Sequence, residues 1–119
     1  MANYSSDLDR AFHALSDPTR RAIVVRLSLG PASVSELQKP FEVAMPTLLQ
    51  HLRVLEEGGL IATAKSGRVR RCTIRPAGLD AAAAWLERQR TTWENRLDLM
   101  EAYLTEHRAR ETKHGKRKR

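Results

Sequence analysis

With 119 residues, 41% of them hydrophobic but only 5% aromatic, the chain can bury one modest core built from Leu, Ile, Val and Ala. Its single cysteine, Cys72, excludes an intrachain disulfide and any multi-thiolate zinc site, and the polar start MANYSSDLDR together with the lack of a long apolar run excludes a signal peptide and a membrane span, so a cytoplasmic location is expected. The net charge of +7 sits in two local patches: residues 107–119 carry seven Lys/Arg against one Glu, and Lys65, Arg68, Arg70, Arg71 and Arg75 follow with no acid between them, a pattern that points to nucleic acid or an anionic membrane surface.

In chain order, Ser5 or Ser6 offers an N-cap, and Leu8, Ala11, Phe12 and Leu15 recur at helical spacing, which predicts a first helix. Asp17 caps a second, with Pro18 at its first position, Ile23, Val24 and Leu27 facing inward and Gly30 as the stop. Pro31-Ala32 reads as a turn. Ser33 with Glu36 three residues on forms a capping box for a short third helix, with Val34 and Leu37 inward and Pro40 at its end.

The stretch MPTLLQHLRVLEEGGLI supplies the fourth helix: Met45, Leu48, Leu52 and Leu55 form its inner side, and Gly58-Gly59 follow its end. Thr47, Gln50 and His51 occupy the other side or its flank, where a merely solvated helix would carry Lys and Glu. Leu60–Ala64 and Val69–Ile74 flank Lys65-Ser66-Gly67-Arg68 and predict a β-hairpin. Pro76 opens a long helix to about Leu104. Along it Leu79, Ala83, Leu86, Arg90, Trp93, Leu97, Met100 and Leu104 alternate spacings of four and three, a heptad seam interrupted by Arg90.

The expected fold is mainly α with a small β-hairpin: a winged helix-turn-helix followed by a long C-terminal dimerisation helix. Residues 1–106 form the DNA-binding and dimerisation domain, and 107–119 form a basic tail that does not fold by itself. Met45, Thr47, Gln50 and His51 of the recognition helix are the candidate base-reading residues, since major-groove edges present donors and acceptors that such side chains read. Lys65, Arg68, Arg70 and Arg71 of the wing are the candidate phosphate contacts. Leu8, Phe12, Leu86, Trp93, Leu97, Met100 and Leu104 are the candidate dimer contacts, the alternative being intrachain packing of part of the seam.

The runs ALSDPTRRAIVVRL, SVSELQKPFEVAMPTLLQHLRVLEEGGLI and SGRVRRCTI resemble the ArsR/SmtB family of bacterial winged-helix repressors, over about residues 6–104. The resemblance implies a homodimeric repressor of a palindromic operator, often that of its own operon. Where relatives often carry serines, this chain has Ala44 and Leu49, so its operator need not match theirs. The family's metal sites are absent: the third-helix site reads Gln38, Lys39 and Pro40, and the last-helix site has Met100 in place of a histidine. No metal and no cofactor is therefore expected, and His107 and His114 read as tail residues.

Cys72 reads as a small apolar residue in the hairpin, with a thiol sensor as the alternative. No phosphate loop or nucleophile–base arrangement points to an enzyme. The expected partners are double-stranded operator DNA and a second copy of the chain, with no membrane and with the inducer left open. The competing readings are a winged-helix RNA-binding module and a protein-interaction module.

Overall fold

The computed structural model describes residues 2–117, with side-chain surroundings for residues 7–112. The chain divides into two units, Met1–Ala83 and Ala84–Arg119. The first holds α1 (Ala2–Leu15), α2 (Pro18–Ser28), β1 (Ala32–Ser33), α3 (Val34–Phe41), α4 (Met45–Glu57), β2 (Ile61–Ser66), β3 (Val69–Ile74) and the start of α5, which runs Pro76–Arg117. The second unit is the remainder of α5.

Local chemistry sets most of these limits. Asp17 caps α2 by accepting the Arg20 backbone N–H at 3.0 Å, with Pro18 inside the first turn. Ser33 and Glu36 form the reciprocal capping box of α3, the Ser33 hydroxyl accepting the Glu36 N–H at 3.1 Å. Ala44 has no side-chain acceptor, so the N-terminus of α4 carries no side-chain cap. The hairpin turns on Gly67-Arg68. Gly67 takes φ 63° at the first central position, as a type II′ turn requires.

Several predicted limits shift. α1 begins at Ala2, so Ser5 and Ser6 lie within it; neither residue breaks a helix, and both propensities are near neutral. Ala32 is not in a turn but in β1, which pairs antiparallel with β3 (Ala32 opposite Cys72, Ser33 opposite Arg71) and makes a three-stranded sheet of order β1-β3-β2. Pro40 does not end α3. It lies inside the last turn at the loss of one backbone hydrogen bond, and the helix closes at Glu42 in the left-handed region (φ 50°). Lys65 and Ser66 belong to β2 rather than to a loop, which makes the wing turn two residues long.

The helix predicted to stop near Leu104 continues to Arg117. Exposed pairs one turn apart, Arg110–Glu106 at 3.1 Å and His107–Glu111 at 3.2 Å, support that continuation. Residues 107–117 of the predicted tail are thus helical, and the last two lie outside the described residues.

The core of the first unit is aliphatic: Ile23, Leu27, Leu37, Leu48, Leu55, Leu60 and Ile61 are fully buried, with Cys72 among them. Leu79 packs against this cluster, so the first residue of the predicted seam belongs to the intrachain core, whereas Ala83, the second, is exposed and its neighbour Ala82 is buried instead. At Gly78 a Cβ would overlap the Gly59 carbonyl oxygen, so the start of α5 lies against the turn after α4 only because that side chain is absent.

Candidate nucleic-acid interface

The inner face of α4 is occupied by Leu48, Leu52 and Leu55, all buried, which turns the opposite face outward. Thr47 and Gln50 are exposed there, as predicted from their spacing. Arg53, one turn beyond Gln50, is exposed too and extends the same polar face. Sequence reasoning passed over Arg53, although its i+3 spacing from Gln50 carried the signal.

Two predicted base readers lie elsewhere. Met45 is half-buried and packs against the core cluster, because its helical phase places it beside Leu48 and Leu52. The His51 side chain is turned into the protein: its Nδ1 lies 3.4 Å from Arg20 Nη1 and 4.0 Å from Asp17 Oδ2. A guanidinium only donates, so in the neutral ring this contact makes Nδ1 the acceptor and leaves the proton on Nε2. Arg20 also donates to the Ala14 carbonyl at 2.9 Å and the His13 carbonyl at 3.1 Å. One arginine thereby ties the C-terminus of α1 and the N-terminus of α2 to the recognition helix. Hydrogen bonding from the Arg20 backbone, with the Arg20 charge beside it, holds the Asp17 carboxyl below its ordinary range.

The wing is cationic. Lys65 lies directly opposite Arg70 in the β2–β3 ladder, a like-charge pairing that disfavours the hairpin in isolation. Among the described residues no acid lies within ion-pair distance of Lys65, Arg68, Arg70 or Arg71. Strand alternation separates them, however. Arg70 shares the Cys72 face, whereas Arg71 points the other way, opposite Ala64 and Ser33, where its charge helps to hold Glu36 ionised.

Lys65, Arg68 and Arg70 line a groove of about 520 Å³ together with Leu49 of α4, and Arg71 is not part of it. Its third side is the N-terminal turn of α3, where Ser33 and Ser35 bring hydroxyls. Neither the serines nor Leu49 had been singled out from the sequence as ligand contacts.

Cys72 is fully buried, and desolvation pushes its thiol up, only partly opposed by the Arg70 charge. It is placed as an apolar core residue, an environment that disfavours the thiolate. Among the described residues no group of three or more His, Cys, Asp or Glu is arranged to hold a metal ion, and no helix is long and apolar enough to cross a membrane.

On the second unit, Leu86, Trp93, Leu97, Met100 and Leu104 are all exposed, with Trp93 and Met100 at 60%. Arg90, which interrupts this stripe, is flanked by Glu87 and Glu94, each 3.6 Å from its guanidinium. Leu8 and Phe12 on α1 are half-buried within the first unit.

Comparisons with known proteins agree with this arrangement. Residues 15–64 match the family described as "Helix-turn-helix domain". The chain is 43% identical over 88 residues to the HTH-type transcriptional regulator Rv2034 of Mycobacterium tuberculosis, covering 74% of this chain and 81% of that one. It is 25% identical over 79 residues to the transcriptional repressor SdpR of Bacillus subtilis, covering 66% and 88%. Among solved structures, an ArsR family transcriptional regulator superimposes with a TM-score of 0.72 at 50% identity, covering 76% of this chain and 93% of its own. The family of these relatives regulates transcription and is not one of enzymes. Sequence, winged-helix geometry and these likenesses together make the chain a member of the ArsR family of DNA-binding helix-turn-helix transcriptional regulators.

Proposed function

We propose that the protein is a cytoplasmic, homodimeric repressor that binds a palindromic operator, including that of its own operon, and releases it by a signal other than a bound metal. The observation that carries this reading is the pairing of an outward polar face on α4 (Thr47, Gln50, Arg53) with a wing groove lined by Lys65, Arg68 and Arg70 and by no acid. A polar helix face suits base edges in the major groove, and unpaired cations beside it suit the flanking phosphates. Repression is the role named for several relatives, including SdpR.

Homodimerisation is supported by the exposed apolar stripe of α5. Five large apolar side chains at heptad spacing cost least when a second copy covers them. We assign Leu86, Trp93, Leu97, Met100 and Leu104 to that contact, and we propose Leu8 and Phe12 of α1 as further dimer contacts. A two-fold dimer presents two recognition helices about one DNA turn apart, which explains why a palindrome suits it.

The test is a binding titration by fluorescence anisotropy. Duplex DNA from upstream of the protein's own gene is compared with a scrambled duplex and with a structured RNA. The reading requires preference for the upstream duplex, with two protein chains per site. Equal affinity for all three, or tighter binding to RNA, contradicts it.

A further inference from the structure

Leu49 is a large apolar side chain on a helix that otherwise turns polar groups outward. It is 36% exposed and belongs neither to the buried core nor to the half-buried side chains that pack against it. Helical phase places it on the flank of α4 nearest the wing, on the same side as Glu56, whose carboxylate accepts the Thr63 hydroxyl of β2 at 3.0 Å. There it joins Val34 and Val69 as the apolar part of the groove, with Lys65, Arg68 and Arg70 as its cationic part.

The three cations determine what can enter: a polyanion, whose phosphates they hold against the wing. A leucine cannot exchange hydrogen bonds with a base edge. On the major-groove side of a base pair one group is apolar, the C5 methyl of thymine. We propose that Leu49 is a specificity-determining residue that reads a thymine methyl group at the end of each operator half-site nearest the wing. Thr47 and Gln50 read the adjoining hydrogen-bonding edges, and the wing cations fix the backbone that sets the register. This inference rests on the operator-binding reading above and adds to it the identity of one base.

The experiment uses the full-length protein and an operator obtained by selecting bound sequences from a random duplex pool. Each thymine is replaced in turn by uracil, which removes only the methyl group, symmetrically in both half-sites. The wild type should lose affinity about fourfold per half-site at one thymine position, the effect of one buried methyl group. Leu49→Ala should bind the thymine and uracil operators equally and should unfold at the wild-type denaturant midpoint, since Leu49 lies outside the core. Wild-type protein that is indifferent to uracil at every position, while still preferring the operator to scrambled duplex, overturns the Leu49 assignment and leaves the repressor reading standing. Selection that yields no preferred duplex overturns both. A uracil effect that persists undiminished in Leu49→Ala assigns the methyl contact to another residue and also overturns the proposal.

Discussion

The Arg20 guanidinium lies 3.4 Å from Nδ1 of His51, joining the first turn of α2 to the middle of the recognition helix. Through the same group Arg20 holds two carbonyls at the end of α1. We expect Arg20→Ala to destabilise the fold by about 1–3 kcal/mol, because it leaves partly buried acceptors unpaired. His51→Ala should be destabilising but leave the ratio of operator to random-DNA affinity unchanged, since its ring is directed at Arg20. The two losses should be less than additive in a double-mutant cycle followed by urea denaturation. A collapsed affinity ratio with unchanged stability in His51→Ala would restore His51 to the base-reading face.

Acid should weaken the helix caps before it weakens the core. The Ser33 hydroxyl and then the Ser33 backbone N–H hold the Glu36 carboxyl below its ordinary range, as the Arg20 backbone N–H does for Asp17. A carboxyl whose pKa is lower folded than unfolded adds stability that is complete above the unfolded value. That stability is lost as pH falls through the folded one. Urea midpoints should therefore be flat in this contribution above about pH 5 and decline below about pH 4. Glu36→Gln, which can keep the capping-box hydrogen bond without the charge, should decline less steeply. An identical acid limb in Glu36→Gln would remove the capping box from the account.

Most of this arrangement was legible in the sequence. Asp17-Pro18, Ser33-Glu36 and Gly67 are local signals whose chemistry acts within a few residues, and each fell where it was expected. Thr47 and Gln50 were legible for a related reason: once Leu48, Leu52 and Leu55 face inward, the opposite side of α4 must face out. Met45 follows the same phase, which puts it beside Leu48 and Leu52, whereas the directions taken by His51 and Arg71 have a different origin. Which way a flank residue turns depends on partners distant in the chain, such as Arg20 for His51, 31 positions away. Strand register likewise decided that Arg70, and not Arg71, joins Lys65 in the groove. β1 was missed because a two-residue strand has no periodicity to read.

Dimerisation should depend on α5. Trp93→Ala should weaken self-association by about 2 kcal/mol or more if it acts as a buried interface anchor. Leu97→Asp, which sets a charge in an apolar seam, should yield monomers at concentrations where the parent is dimeric. Sedimentation equilibrium distinguishes these outcomes. An unchanged dimer for Leu97→Asp moves the interface elsewhere, and operator affinity should fall together with the dimer.

Metal ions should not release the protein from DNA. The positions at which the resemblance to the family implies metal ligands hold Gln38, Pro40 and Met100 here, and Cys72 is buried with its thiol pushed up. A soft-metal switch needs several converging thiolate, imidazole or carboxylate ligands. Operator complexes titrated with zinc, cadmium or arsenite should persist at stoichiometric metal. Loss of the complex that a chelator reverses would reveal a site completed by ligands from the partner copy.

The most direct test of the interface is a salt series of equilibrium titrations on operator and scrambled duplex. It compares the parent with Gln50→Ala and Arg68→Ala. Gln50→Ala should lose about 1–3 kcal/mol on the operator and little on scrambled DNA, with the parent's salt slope. Arg68→Ala should weaken both duplexes alike and reduce the slope by about one unit for each arginine removed from the bound complex. A Gln50→Ala protein that discriminates operator from scrambled DNA as well as the parent, or an Arg68→Ala protein with an unchanged salt slope, would contradict the division of labour between α4 and the wing.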